Sequence, residues 1–218
     1  GSPCVLAAEV LEPNPARQFY ERLGYRVIGY CARVEAAKGA RMTIDWPGCP
    51  VARVALSSDA SAIARLDGML AARRRAAGDV RFDPPRGASA QAIGTDAVVN
   101  PADGGAASDA AGKPANPAVL VSIDDRGVVR GGAFFVMQTL ELPFLPMRRA
   151  FVGRFALDPV CAVEPTMVSL VALACKLALV EGARYVEVAD LSIPGTELFE
   201  AARVAAAAPW SRTLTKVA

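Results

Sequence analysis

Val5-Leu-Ala-Ala-Glu-Val-Leu11, followed after two residues by Asn14-Pro-Ala-Arg-Gln-Phe-Tyr-Glu-Arg-Leu-Gly-Tyr25, decides how the chain reads. The run at 5–11 has the residue types and length of a strand. Pro13 keeps Glu12 out of the helical region, and Asn14 can accept a hydrogen bond from a free N–H of the turn that follows. Ala16, Phe19, Tyr20 and Leu23 then recur at helical spacing, which predicts a short helix with one apolar face. Gly24 stops it where a positive φ is needed.

A strand leading into an asparagine, a short helix carrying Phe-Tyr-Glu-x-Leu-Gly-Tyr and then another strand resembles the last third of a GCN5-related N-acetyltransferase. The resemblance implies roles for two residues. Asn14 would lie near the pantetheine arm of acetyl-CoA, as a cofactor-binding residue, and Tyr20 would be catalytic, protonating the departing CoA thiolate. The plainer alternatives are a cap for Asn14 and a core position for Tyr20. A fold of this type builds four strands and three helices before this point. Residues 1–47 are therefore expected to be the C-terminal part of a first, truncated module.

Residues 26–36 and 40–46 read as strands, with Ala37-Lys38-Gly39 as the hairpin turn between them. Pro47-Gly48-Cys49-Pro50 has the composition of a linker. A new strand is expected at 51–56. Ser57-Ser58-Asp59 would cap a helix whose face carries Ile63, Leu66 and Leu70. Residues 83–117 are Gly, Ala, Pro, Ser and Asp without periodicity, which predicts a long mobile insertion. Strands at 119–123 and 128–138 flank Asp124-Asp-Arg-Gly127, a hairpin turn, and another strand follows at 149–157. Met167, Leu170, Val171, Ala174, Leu177 and Ala178 carry a helix over 165–180, closed by Gly182, before a strand at 185–189.

This order is that of a whole second acetyltransferase-like domain over 48–218. The expected fold class is α+β, an acetyltransferase-like mixed central sheet flanked by helices and preceded by a partial copy of the same fold. Ile193-Pro-Gly-Thr-Glu-Leu-Phe-Glu200 even repeats residues 14–21. The positions that would carry chemistry differ, since Asn14 faces Ile193 and Tyr20 faces Phe199.

The family binds the CoA pyrophosphate on a glycine-rich loop at a helix N-terminus, where free N–H groups and the helix dipole meet the anion. Here that place reads Asp158-Pro-Val-Cys-Ala-Val-Glu-Pro-Thr166. It has no glycine, Pro165 removes a donor, and Glu164 sets a carboxylate where the phosphate would sit. The second domain is expected to be degenerate and to have lost its cofactor site. Asp124, Asp125, Asp158 and Glu164 are read as turn and cap residues. Glu9 and Glu187 lie inside strands, and a base role for Glu9 is a minor option.

Composition excludes several classes. The chain has 218 residues, 53% apolar and 21% charged, with a net charge of +2, enough for one good core and too balanced to attract nucleic acid. It has no histidine, so His-based triads and His-based zinc sites are impossible, and no metal is expected. Five cysteines without a Cys-x-x-Cys pair, and no signal peptide, fit a cytoplasmic protein without a disulfide framework. No membrane segment is expected, and Arg73-Arg74-Arg75 reads as the solvated end of a helix. Expected partners are a small-molecule or peptide amine, with a homodimer left open.

Three functions fit. The first is acetyl transfer from acetyl-CoA to an amine by the first module when complete, through direct attack of the amine on the thioester with Tyr20 as acid. The second is a non-catalytic pseudo-acetyltransferase that serves partner binding or dimerisation. The third is a glyoxalase-like (vicinal-oxygen-chelate) module, in which the Phe-Tyr-Glu-x-Leu-Gly-Tyr helix also occurs.

Overall fold

The computed structural model describes residues 5–11, 14–42, 49–79, 117–140, 147–191, 196–205 and 207–217. The insertion expected at 83–117 lies almost wholly outside them, as do residues 43–46 of the strand expected over 40–46, whose residues 40–42 instead close a helical turn, Arg41 and Met42 donating to the Lys38 and Gly39 carbonyls. The strands are β1 (Val5–Leu11), β2 (Arg26–Glu35), β3 (Val51–Val54), β4 (Ala118–Ile123), β5 (Val129–Leu140), β6 (Met147–Leu157), β7 (Tyr185–Leu191) and β8 (Ala208–Val217). The helices are α1 (Ala16–Arg22), α2 (Ala36–Gly39), α3 (Ala60–Ala76), α4 (Val163–Val180) and α5 (Glu197–Val204). All eight strands form one sheet in the order β1-β8-β2-β7-β6-β5-β4-β3, an α+β architecture rather than the paired βαβββ units of a glyoxalase-like module.

From β3 onward the elements follow the expected sequence. Asp124 accepts the N–H of Gly127 on its carbonyl, and Gly127 turns with φ 75°, so the β4–β5 hairpin forms where Asp and Gly chemistry placed it. β6 and β7 run parallel, joined by the α4 crossover. Met167, Leu170, Val171, Ala174, Cys175 and Ala178 of α4 bury against Leu120, Phe135, Val152, Val186 and Val188 of the sheet. At 18 residues and a mean hydropathy of 1.7, α4 is long and apolar enough by those measures to span a bilayer, yet ten of its residues are buried in this core.

The N-terminal segment does not stand apart. β1 and β2 lie on either side of β8, and β2 also pairs antiparallel with β7 through Arg33–Glu187 and Val34–Val186. The strands at 5–11 and 26–35 therefore complete the sheet built by 51–217.

Two local expectations are corrected. Ala37-Lys38-Gly39 is the end of a one-turn helix, with the Ala40 N–H donating to the Ala36 carbonyl, because Ala and Lys favour a helical turn over a hairpin. A Cβ on Gly39 would lie 2.4 Å from the Cys175 sulfur, so only glycine lets α2 approach α4 this closely. Asp59 does precede α3, but its carboxylate turns back, accepting the Leu56 N–H at 2.8 Å and a bidentate Arg53 at 2.6 and 3.0 Å.

Candidate functional site

β6 and β7 pair only through Ala150–Val186, Phe151–Glu187 and Val152–Val188, although they run on to Leu157 and Leu191. Beyond Val152 and Val188 no ladder pair joins them. Each strand carries one non-glycine residue with positive φ there, Arg154 at 52° and Asp190 at 57°. Such backbone persists where the surroundings over-determine it, and it marks functional positions. On β6 the cause is a bulge, with Gly132 opposite Ala156 but Phe134 opposite Gly153. The Arg154 guanidinium is held by Asp67 of α3 at 2.7 Å.

The end of α3 braces the unpaired ends of both strands. Arg73 donates to the Leu157 carbonyl at 3.2 Å, at the end of β6, and Arg74 donates to the Asp190 carbonyl on β7. Arg74 is buried beside Asp79, 3.9 Å away. Arg73-Arg74-Arg75 is thus not simply a solvated helix end. A charged run carries no sequence signal for which of its members turn inward.

Past the end of β6, a cavity of about 790 Å³ opens around the start of α4. Its walls include Arg130, Cys161, Glu164 and Pro165, with Glu197 and Glu200 of α5. The loop into α4 is tied down by Asp158, whose carboxylate accepts the Val160 N–H at 3.2 Å and pairs with Arg65 at 3.2 Å and Arg130 at 3.6 Å. Burial opposes ionisation of Asp158. The Val160 N–H and the two guanidiniums outweigh it and hold the carboxyl below its ordinary value. Asp124, also on the cavity wall, is held low by the Val128 N–H and by Arg130 at 2.8 Å. Burial pushes the Cys161 and Cys49 thiols up, so neither is an activated nucleophile.

The donor set does not suit the pyrophosphate of coenzyme A. Arg130 is shared between Asp124 and Asp158, and Glu164 and Glu197 have no ion-pair partner among the described residues. Pro165 in the first turn of α4 offers no N–H, and Glu164 occupies the positive end of the helix dipole. The room for a cofactor is there, and the charge opposes it.

The two residues singled out from the sequence sit elsewhere, Asn14 just before α1 and Tyr20 on it. Asn14 accepts the Ala16 N–H on its side-chain oxygen at 2.9 Å, the local bond expected of a cap. Tyr20 is half-buried, with its ring edge-on to Phe19 and Tyr25 at 5.7 and 5.3 Å. The apolar face expected to pack does not, since α1 has no buried residue and Phe19 is 60% exposed. Among the described residues, α1 has no core to bury against. In the repeat, Phe199 is buried edge-on against Tyr30 at 5.6 Å, while Ile193 lies outside the described residues.

No protein-family model and no curated protein sequence matches the chain. Solved structures do resemble it. A GCN5-related N-acetyltransferase from Kribbella flavida superposes with a TM-score of 0.54 at 14% identity, over 97% of this chain and 67% of that one. A functionally unknown conserved protein from Staphylococcus epidermidis gives 0.56 at 11% identity, over 97% and 72%. A tandem GNAT protein from the clavulanic acid biosynthesis pathway gives 0.52 at 12% identity, over 98% and 64%. The chain has the acetyltransferase fold, and it spans about two thirds of the length of these structures.

Proposed function

We propose that the chain is an N-acetyltransferase-type protein in which acetyl transfer from acetyl-CoA to an amine belongs to a first module, when complete, that residues 1–47 close. Residues 48–218 are, in this reading, a degenerate copy of the same fold. The observation that carries it is the cavity at α4, roomy but walled, among the described residues, by Asp124, Glu164, Glu197 and Glu200, with Arg130 already paired to Asp124 and Asp158. The likeness to a tandem protein and the repeat of 14–21 at 193–200 support two copies.

On this reading the chemistry falls to α1. Acetyl-CoA would supply the activated acyl group and a thiolate leaving group. Tyr20 holds a phenolic proton on the half-buried edge of the helix, and the Asn14 side chain keeps its amide N–H donors while its oxygen caps Ala16. In the protein with its first module complete, Tyr20→Phe is expected to lower kcat by about 10²–10⁴-fold, the usual worth of a general acid. An unchanged kcat would leave Tyr20 as a packing residue. A non-catalytic role in partner binding would then become the better reading of the whole chain.

A further inference from the structure

Glu187 sits in the middle of β7 and is 2% exposed. Its neighbours Val186 and Val188 pack on the α4 side, so the carboxylate projects from the opposite face of the sheet. Two guanidiniums converge on it. Arg33 of β2 donates to Oε1 at 2.8 Å, and Arg149 of β6 donates to Oε1 at 2.8 Å and to Oε2 at 2.7 Å. One arginine would neutralise this carboxylate. The second leaves a surplus positive charge held in a largely desolvated place.

The remaining donors are where the surplus shows. The Nε–H groups of both Arg33 and Arg149 are buried without an acceptor, a rare condition that calls for an explanation. Each Nη1, in contrast, is open to solvent and has no partner among the described residues. Both guanidinium planes are fixed by aromatic rings. Arg33 stacks 3.4 Å over Trp210 and lies 5.3 Å from Tyr185, and Arg149 lies 4.7 Å from Phe151. Stacking holds the flat faces and leaves the Nη1 donors to bind.

We propose that Arg33 and Arg149, gathered on the Glu187 carboxylate, form a binding site for the oxyanion of a small molecule, a carboxylate or a phosphate group. Two guanidiniums gathered on one carboxylate bring their Nη1 donors to the same group, and charge-assisted bonds of this kind are the strong ones. The site exists only because β2 enters the sheet beside β7. It lies where β6 and β7 pair, away from the α4 cavity, and it does not depend on the function proposed above.

The test is calorimetric titration of the full chain with inorganic phosphate and, separately, with succinate. The variants are Arg149→Gln, Arg33→Gln and, as a control, Arg148→Gln, which removes an exposed arginine paired with Glu181. Saturable binding of at least one probe is expected, weakened by at least about tenfold in Arg149→Gln and Arg33→Gln and unchanged in the control. Phosphate alone, or succinate alone, would identify the oxyanion. Arg149→Gln retains the Arg33–Glu187 pair, and circular dichroism checks its fold. Should it not fold, Arg149→Lys keeps the charge without the fork and is expected to weaken binding by at least about threefold. The absence of saturable binding to the unmodified chain would overturn the proposal. So would binding that all the variants share equally.

Discussion

A carboxylate that is nearly buried stays ionised only where donors replace its water. Asp59 meets that condition with the Arg53 fork first and the Leu56 N–H after it, and its carboxyl is held below the ordinary value. Because the folded state favours the ionised form, the stabilisation is complete above the unfolded carboxyl's pKa of about 3.9 and is lost as pH falls through the lower folded value. Asp59→Asn is therefore expected to cost about 1–3 kcal/mol at pH 7 by urea unfolding, and to flatten the acid limb of the stability profile. An unchanged acid limb would mean that the pair contributes nothing. Asp59 as a helix-start residue was legible in the sequence, but its partner was not. Arg53 lies six positions back on a strand, where no periodicity points to it.

At the scale of elements, periodicity and turn chemistry found β3 to β7 with α3 and α4 between them, because each of those signals is local, whereas residues 208–217 of β8 carried no such signal. The Met167–Ala178 stripe of α4 is such a signal, and so is the Asp124–Gly127 turn. The one-turn helix α2 was missed because its position next to Gly39 suggested a turn, while its Ala-Ala-Lys content favours a helix. The close approach of α2 to α4 gives a sharp test. Gly39→Ala adds a Cβ at 2.4 Å from the Cys175 sulfur and is expected to destabilise by about 1–3 kcal/mol through overpacking. Cys175→Ala removes that sulfur, so in the double variant the two changes should be clearly non-additive, with Gly39→Ala costing less than it does alone. Additive losses, measured by thermal or urea melts, would show that the crowding is relieved elsewhere. Cys175 itself, its thiol pushed up to about 12 by burial, has a packing role only.

For the whole molecule, local signals ran out where strands pair across long separations. Nothing in residues 26–35 announces β7 and β8 as neighbours, nor that Arg33 will share Glu187 with Arg149. The acetyltransferase fold itself was legible from the Asn14–Tyr25 passage and from the order of elements after residue 51. The lack of a glycine in the loop into α4, with Glu164 and Pro165 in the first turn, was legible too, in Asp158–Thr166. The acidic company of that loop was not, because Asp124, Glu197 and Glu200 reach the cavity only in the folded chain. Since β2 is an interior strand, the decisive measurement uses the intact chain rather than residues 51–218 alone. Titrated with acetyl-CoA by calorimetry, the chain is predicted to show no binding tighter than millimolar. Micromolar affinity, about −8 kcal/mol, would contradict the claim that this copy of the fold no longer holds the cofactor.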